Sequence, residues 1–516
     1  MKKPALSSLN GKKFDVVVIG AGINGCAAAQ QLAAQGFSTL IIDKGDFAEG
    51  ATSKSSRLLH CGLRHLTPGK SLWEFVTNPV YLATALINTK ASMVARKDIS
   101  ETMPELTHLT KFCFPIYEED PFSPILVDAA FSLLKILGPK DPPLEYKRYK
   151  ADEMAEVPFS SYLRDPDKIK GMAVFNEFLF DWPERIAIDT LLDATRMGAT
   201  ARNYTTFKTL EEKPDNTWDV FLQNALNPED QITVNARLVL NVAGAWSDQV
   251  AEDLNLDASQ KVLKLKGAHI VLQLPPEFSD WGMLAMNRAK EPLYCVPNRG
   301  LHLVGLNRVP YEQDASGVVA EEDEVDWLLG EINYLMPKLN VTRADVKYTM
   351  AGLQPITFDP KEPHGSRAIK IHDLEKEGLK NVLTLTGGPI MTHRQVGKDL
   401  ANAVGKRLSP SQPPQKLSSE VSETTKKLND TRGQNRSIQY SKEILQKIAI
   451  EEQPANLADV LFRRTGIAWN KGQGREIVEE IAEILAGPLN WDEGRTKNEI
   501  QNYLTHLDNE FSNHTD

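Results

Sequence analysis

The feature that most constrains this chain is a glycine-spaced turn set between a strand and a helix. Residues 14–19 are β-branched and almost wholly apolar, the pattern of a strand buried on both faces. Gly20-Ala21-Gly22-Ile23-Asn24-Gly25 follows directly, then small residues up to Gly36, then a second apolar run over 38–42 that ends at Asp43. Glycines at this spacing let the backbone approach a pyrophosphate, and the N-terminus of the helix behind them favours its charge. A carboxylate at the end of the second strand suits a ribose 2′-hydroxyl and repels a 2′-phosphate, so Asp43 disfavours NADP. The spacing alone is weak, but the strand before it, the helix behind it and Asp43 together make a dinucleotide fingerprint. A βαβ opening of this kind predicts a doubly wound parallel sheet with helices on its faces.

The rest of that sheet is far away in sequence. Residues 175–181 read as a strand, 185–197 as a helix, and 237–242 as a buried strand ending in Ala243-Gly244-Ala245-Trp246. Residues 381–386 form a last strand running into Gly387-Gly388-Pro389, with a helix from about Thr392 to 408. A nucleotide domain assembled from such distant segments fits FAD lying extended across the sheet better than NAD. Gly244 and Trp246 would supply a second close backbone approach, and Gly387, Gly388 and Thr392 a third. The last helix would place partial positive charge near the flavin pyrimidine. Residues 260–310 alternate as antiparallel strands do.

The expected fold is therefore α/β: a Rossmann-like FAD-binding domain interleaved with an antiparallel-sheet substrate domain, plus a small α-helical C-terminal domain. FAD segments are expected at about 14–70, 180–250 and 350–408, and substrate-domain segments at about 71–179 and 251–349. Residues 409–437, rich in Ser, Pro, Gln, Thr and Lys, read as a flexible linker, and 438–516 as the helical domain.

Composition narrows the partners. The chain holds 59 basic and 69 acidic residues, a net charge of −10, with 41% apolar and 25% charged residues. That balance is globular, and it argues against a nucleic-acid partner, which needs clustered Lys and Arg. Cys26, Cys61, Cys113 and Cys295 show no metal-ligand spacing, so no metal site is expected, and the thiols read as reduced in a cytosolic protein. No apolar h-region follows Met1-Lys2-Lys3, and no uninterrupted apolar run reaches about 18 residues, so neither a signal peptide nor a transmembrane helix is expected. Residues 125–138 read as a core-facing helix, with a peripheral membrane foot as the alternative.

After the second strand comes Ala51-Thr52-Ser53-Lys54-Ser55-Ser56-Arg57-Leu58-Leu59-His60-Cys61-Gly62-Leu63-Arg64-His65, dense in hydroxyls and cations. Ser53 and Ser56 suit pyrophosphate or flavin oxygens, and Arg64 suits a bidentate anion clamp. This segment, the first glycine turn, Asn241-x-x-Gly244-x-Trp246, Lys266-Gly267-x-His269 and Gly387-Gly388 with Thr392-x-Arg394 occur in this order. Together they resemble the FAD-dependent respiratory glycerol-3-phosphate dehydrogenases of the D-amino-acid-oxidase-like flavoproteins, over roughly residues 14–408. Ala458-Asp459 to Arg463-Arg464-Thr465 resembles that family's C-terminal domain more loosely.

The resemblance implies hydride transfer from the glycerol-3-phosphate secondary alcohol to flavin N5, with reoxidation by a membrane quinone or oxygen. It implies FAD contacts at Gly20, Gly22, Asn24, Gly25, Asp43, Thr52, Ser53, Ser56, His60, Gly244, Trp246, Gly387, Gly388 and Thr392. Catalytic roles fall on Arg64, His269 and His65. For His269 two readings stand: a base near the flavin, or a strand histidine bonded to a backbone carbonyl. The protein is then cytoplasmic, peripheral on the inner face of a membrane, with a phosphorylated or acidic alcohol as substrate. Five positions in four motifs depart from the family's usual residues: His65 for Tyr, Pro389 for Lys, Gln354 for Arg, and Leu306-Asn307 for Thr-Asp. Two expected cations are thus missing, each worth about 1.5–3 kcal/mol in a charge-assisted hydrogen bond. Arg308, Arg367, His393 and Arg394 are the candidates to compensate. A flavoenzyme acting on another hydroxy acid or an amine is the alternative, and a non-catalytic FAD-binding protein a third reading.

Overall fold

The computed structural model describes residues 1–66, 77–140, 142–252, 259–362, 365–366, 368–418, 420–433, 436 and 439–512. The parallel half grows from Lys13–Ile19, which pairs with Thr39–Ile42 on one side and with Asn227–Asn241 on the other. Thr200–Arg202 and Val382–Thr386 extend it in parallel, and Lys370–Asp373 closes one edge antiparallel. The apolar run of the first strand is buried on both faces, as its sequence demands.

The two faces are covered differently. Val16 and Val18 join the core of the helices Ile23–Ala34, Pro183–Arg196 and His393–Gly405. Val17 and Ile19 pack instead with Phe207, Trp218 and Val220 of the antiparallel pair Thr205–Glu212 and Trp218–Asn224. The expectation of helices on both faces is corrected here. Asn227–Asn241 runs on beyond the parallel sheet and pairs with Trp218–Asn224, and this antiparallel extension covers the second face.

The second sheet runs in the order Val309–Pro310, Val262–Leu272, Leu301–Gly305, Pro292–Asn298, Trp281–Met286, Thr107–Tyr117, Ile169–Phe180 and Leu58–Leu59. Val346–Thr357 pairs along Val262–Leu272, and Lys147–Tyr149 along Ile169–Phe180. Its pairings are antiparallel apart from Trp281–Met286 with Thr107–Tyr117. Val271, Tyr348 and Met350 share a core with the nucleotide half, while Ala268, Ile270 and Ala351 pack on the other side with Val325 and Leu328 of the helix Glu322–Leu335. The interleaved α/β fold expected from the motifs is what the chain adopts.

The C-terminal helices Lys442–Glu451, Val478–Leu489 and Glu493–Glu510 share one continuous core with the first nucleotide helix. The segment 409–437, read from composition as a flexible linker, does not run free over its described residues. Ser411 Oγ donates to Asp15 Oδ2 at 2.5 Å, Gln412 N to Gly36 O at 2.9 Å, and Gln415 N to Ala34 O at 2.7 Å. A helix, Glu423–Asp430, follows, capped by Ser422, and Arg432 Nη1 donates to Asp181 Oδ2 at 2.6 Å. Polar residues that read as solvated are spent here on surface hydrogen bonds and a helix cap.

Candidate active site

The three glycine turns meet at the carboxyl edge of the parallel sheet. Gly20 holds φ at +100°, and a Cβ there would lie 2.7 Å from Val242 O, so the first and second turns touch backbone to backbone. A Cβ on Gly25 would collide with the Gly20 carbonyl. Asn24 Nδ2 donates to Gly388 O at 2.6 Å and joins the first turn to the third across 364 positions of sequence.

Side chains then furnish this edge. Thr52 Oγ1 accepts the Ile23 N–H at 3.1 Å, one of the amides that the first helix leaves open. Asp43 accepts the N–H groups of Ala21 at 2.7 Å and Gly45 at 3.0 Å, and burial outweighs both bonds to push its carboxyl up to about 6. Ser53 is buried, with its hydroxyl 3.4 Å from Glu49 O. Trp246 stands beside Gly50, with Lys44 Nζ 4.4 Å from its ring centre. Gly244 also has positive φ, and Thr392 Oγ1 donates to Pro389 O at 3.0 Å where the helix His393–Gly405 starts. Asn24 Oδ1 is buried with no partner among the described residues. Bare backbone on three turns, an open polar atom and a carboxylate at the ribose position fit an extended dinucleotide.

The second sheet supplies the opposing wall. His269 lies on Val262–Leu272, between Gly305 and Met350. Its Nε2 is 3.1 Å from Ser56 Oγ, on the loop that leads from the parallel sheet to Leu58–Leu59, so this pair ties that connecting loop to the substrate sheet. The histidine's partner is therefore a hydroxyl rather than a backbone carbonyl, and its Nδ1 has no partner among the described residues. Burial, with the Arg57 charge beside it, pushes His269 down to about 4, which keeps the ring neutral at neutral pH.

Behind this pair lie residues that the sequence did not single out. Arg57 is buried, donates to Asp181 O at 3.2 Å and Glu184 Oε1 at 3.4 Å, and stacks 4.7 Å from the ring centre of Trp469. Arg299 donates to Gly466 O and to Asp181 O, and burial lowers it to about 9. Tyr348 Oη donates to Trp469 O at 3.1 Å. Trp469 and Gly466 belong to the C-terminal region, which thus closes the back of the site. Lys54 Nζ sits 3.4 Å from Glu510 Oε2 and 4.0 Å from the Phe511 ring centre. The only hint in sequence was the position of Lys54 and Arg57 inside the hydroxyl-rich motif.

The remaining candidates separate. Arg64 is on the short helical turn Leu63–Leu66, and its side chain lies outside the described atoms. His60 Nδ1 accepts the Gly62 N–H at 3.1 Å, the His60 and His65 rings are 5.6 Å apart, and His65 Nε2 is 3.3 Å from Ser92 Oγ. Of the proposed compensating cations, Arg394 is paired with Asp98 at 2.7 Å. His393 is buried, bonded to Ile390 O and pushed down to about 4 by that burial, so it carries no charge at neutral pH. Arg308 is exposed, and Arg367 lies outside the described residues.

Residues 15–403 match the FAD dependent oxidoreductase family. The chain belongs to that family. A glycerol-3-phosphate dehydrogenase of Synechocystis is 30% identical over 420 residues, covering 78% of this oxidoreductase and 71% of the relative. An aerobic glycerol-3-phosphate dehydrogenase of Staphylococcus aureus is 26% identical over 411 residues, covering 78% and 68%. The solved glycerol-3-phosphate dehydrogenase of Bacillus halodurans, complexed with FAD, aligns over 99% of this oxidoreductase and 98% of itself, with a TM-score of 0.75 and 18% identity. The FAD-bound L-α-glycerophosphate oxidase of Mycoplasma pneumoniae aligns over 79% and 98%, with a TM-score of 0.59 and 13% identity. Both structures share the fold. FAD is the cofactor of this oxidoreductase, and the glycine cradle is built to fit it.

Proposed function

We propose that this oxidoreductase is a glycerol-3-phosphate dehydrogenase that oxidises sn-glycerol 3-phosphate to dihydroxyacetone phosphate and passes the electrons to a quinone. The observation that carries the reading is the Ser56–His269 bridge, which brings a neutral imidazole from the substrate sheet to the edge of the glycine cradle. The relatives' activity supplies the substrate.

Bound FAD supplies the two-electron acceptor, flavin N5, for the carbon-bound hydrogen. The chain's residues do the rest. In the tautomer with Nε2 unprotonated, Ser56 donates its hydroxyl to His269 and fixes the ring. The substrate hydroxyl replaces Ser56 as donor and gives its proton to Nε2 as the carbonyl forms. Arg64, on the turn Leu63–Leu66, holds the substrate phosphate. The wall formed by Arg57, Trp469 and Tyr348 excludes water behind the histidine.

No helix among the described residues is long and apolar enough to cross a membrane. Quinone is reached instead from the cytoplasmic side, through a peripheral contact supported by exposed isoleucines on two neighbouring helices.

Stopped-flow reduction of the purified yellow protein tests the reading. Glycerol 3-phosphate bleaches the flavin, and Arg64→Ala slows bleaching at least tenfold, about 1.4 kcal/mol, while FAD stays bound. Bleaching only by another hydroxy acid or an amine would replace the substrate, and normal kinetics in Arg64→Ala would remove that residue from the site.

A further inference from the structure

Leu58–Leu59 joins the edge of the second sheet by pairing with Phe178 and Leu179. The ladder stops there. The Asn176 carbonyl, near where it would continue, is taken by Arg96 Nη2 at 3.2 Å, and Arg96 Nη1 donates to Pro142 O at 2.7 Å. The Cys61 N–H is captured instead by the Glu177 side chain, whose two carboxylate oxygens lie 2.8 and 3.1 Å away. The chain then leaves the sheet. Gly62 has positive φ and abuts Thr89 and Ser92, and the Gly62 carbonyl accepts the His65 N–H at 2.9 Å.

Glu177 is buried, and burial pushes its carboxyl up to about 7 against the favourable charge of Arg96. A carboxylate in such a place costs free energy that a neutral side chain would not. Among the described residues the Cys61 N–H is the one amide it binds. That amide sits between His60 and Gly62, in the turn that leads into Arg64.

We propose that Glu177 is a positioning residue: by holding the Cys61 N–H it sets the backbone of the turn that carries His60 and Arg64, and through it the affinity for the substrate anion. The inference rests on the reading of Arg64 as the phosphate clamp. It acts on placement, so it belongs to binding rather than to the proton or hydride step.

Glu177→Gln keeps the volume and one of the two acceptors on the amide N–H, while Glu177→Asp keeps the charge and withdraws both acceptors by one methylene. A displaced clamp costs roughly ten- to a hundredfold. In flavin-reduction assays on the full-length holoenzyme, KM for glycerol 3-phosphate rises by that factor in Glu177→Asp and by less in Glu177→Gln. The limiting reduction rate and the FAD content stay close to wild type. An unchanged KM in both variants, even with a lowered Tm, overturns the assignment, as does a loss confined to the limiting rate. If Glu177→Asp yields no yellow protein, the Glu177→Gln KM decides by the same criterion. Wild type that glycerol 3-phosphate does not reduce overturns the substrate reading and this inference together, whereas a reduced wild type with insensitive variants overturns this inference alone.

Discussion

A neutral histidine at neutral pH can accept a proton, and His269 is held neutral by its surroundings rather than by the solvent. His269→Asn is expected to keep FAD and slow flavin reduction by about 10²–10⁴-fold, the usual worth of a general base. Retained rates in that variant would move the proton elsewhere. The same burial has a stability consequence. His269, His302 and His393 are all pushed down to about 4 by burial, from an ordinary value of 6.5. Below 6.5 the unfolded chain takes up protons that the folded chain refuses, so this contribution is complete above about 6.5 and lost as pH falls toward 4. Calorimetry across that window should show a shallower decline of Tm in His269→Asn, and parallel curves would deny the linkage. Ser56 and His269 were each visible in the sequence as chemistry-bearing residues. Their meeting was not, because it depends on how the loop joining the two sheets lies on a strand 213 positions further along the chain.

Two helices show what local pattern conceals. Pro79–Thr102 was not anticipated, since its inward face carries Thr89, Ser92 and Arg96 among Ala85, Met93 and Ile99. An inward stripe so polar erases the apolar period that marks a helix in sequence. Pro124–Leu137 was legible, because Val127, Phe131 and Leu134 recur at helical spacing and are buried. Its other side leaves Ile125 75% and Ile136 79% exposed, and the neighbouring helix exposes Ile87 and Val94. Four exposed branched side chains on adjacent helices suit the boundary of a bilayer. Each buried isoleucine is worth about 1.5–3 kcal/mol. Ile125→Asp combined with Ile136→Asp should therefore weaken cosedimentation with anionic phospholipid vesicles at least tenfold, about 1.4 kcal/mol, without altering flavin reduction. Undiminished cosedimentation would place any membrane contact elsewhere.

At the scale of the molecule, the C-terminal region is fastened by buried charge. Asp46, three residues past Asp43, receives hydrogen bonds from Arg463 Nε at 2.6 Å and Arg464 Nη1 at 2.5 Å. Burial alone would raise its carboxyl, but the two guanidinium groups hold it well below the usual range. Arg185 likewise meets Glu452 at 2.6 Å and Thr425 at 2.5 Å. Asp46→Asn removes one of the two buried carboxylates that face Arg463 and Arg464, leaving Asp459 alone against both, and should cost about 3–5 kcal/mol in denaturant unfolding. An unchanged midpoint would show that the fastening is elsewhere. The nucleotide half could be foreseen because Gly20 to Asp43 is a contiguous signal. The clamp could not, since Asp46 reads as an ordinary loop acid until Arg463 and Arg464 are folded onto it.

The Asn24–Gly388 bond reaches across 364 positions of the chain. At a synthesis rate of about 5–20 residues per second, the first turn leaves the ribosome roughly 20–70 seconds before its partner does. Over that interval a nascent chain holds first one and then, once Gly244 is made, two of the three turns that cradle the dinucleotide. Capture of the yellow pigment is thereby postponed until about three-quarters of the chain has been made, and chains truncated before the last turn should emerge colourless.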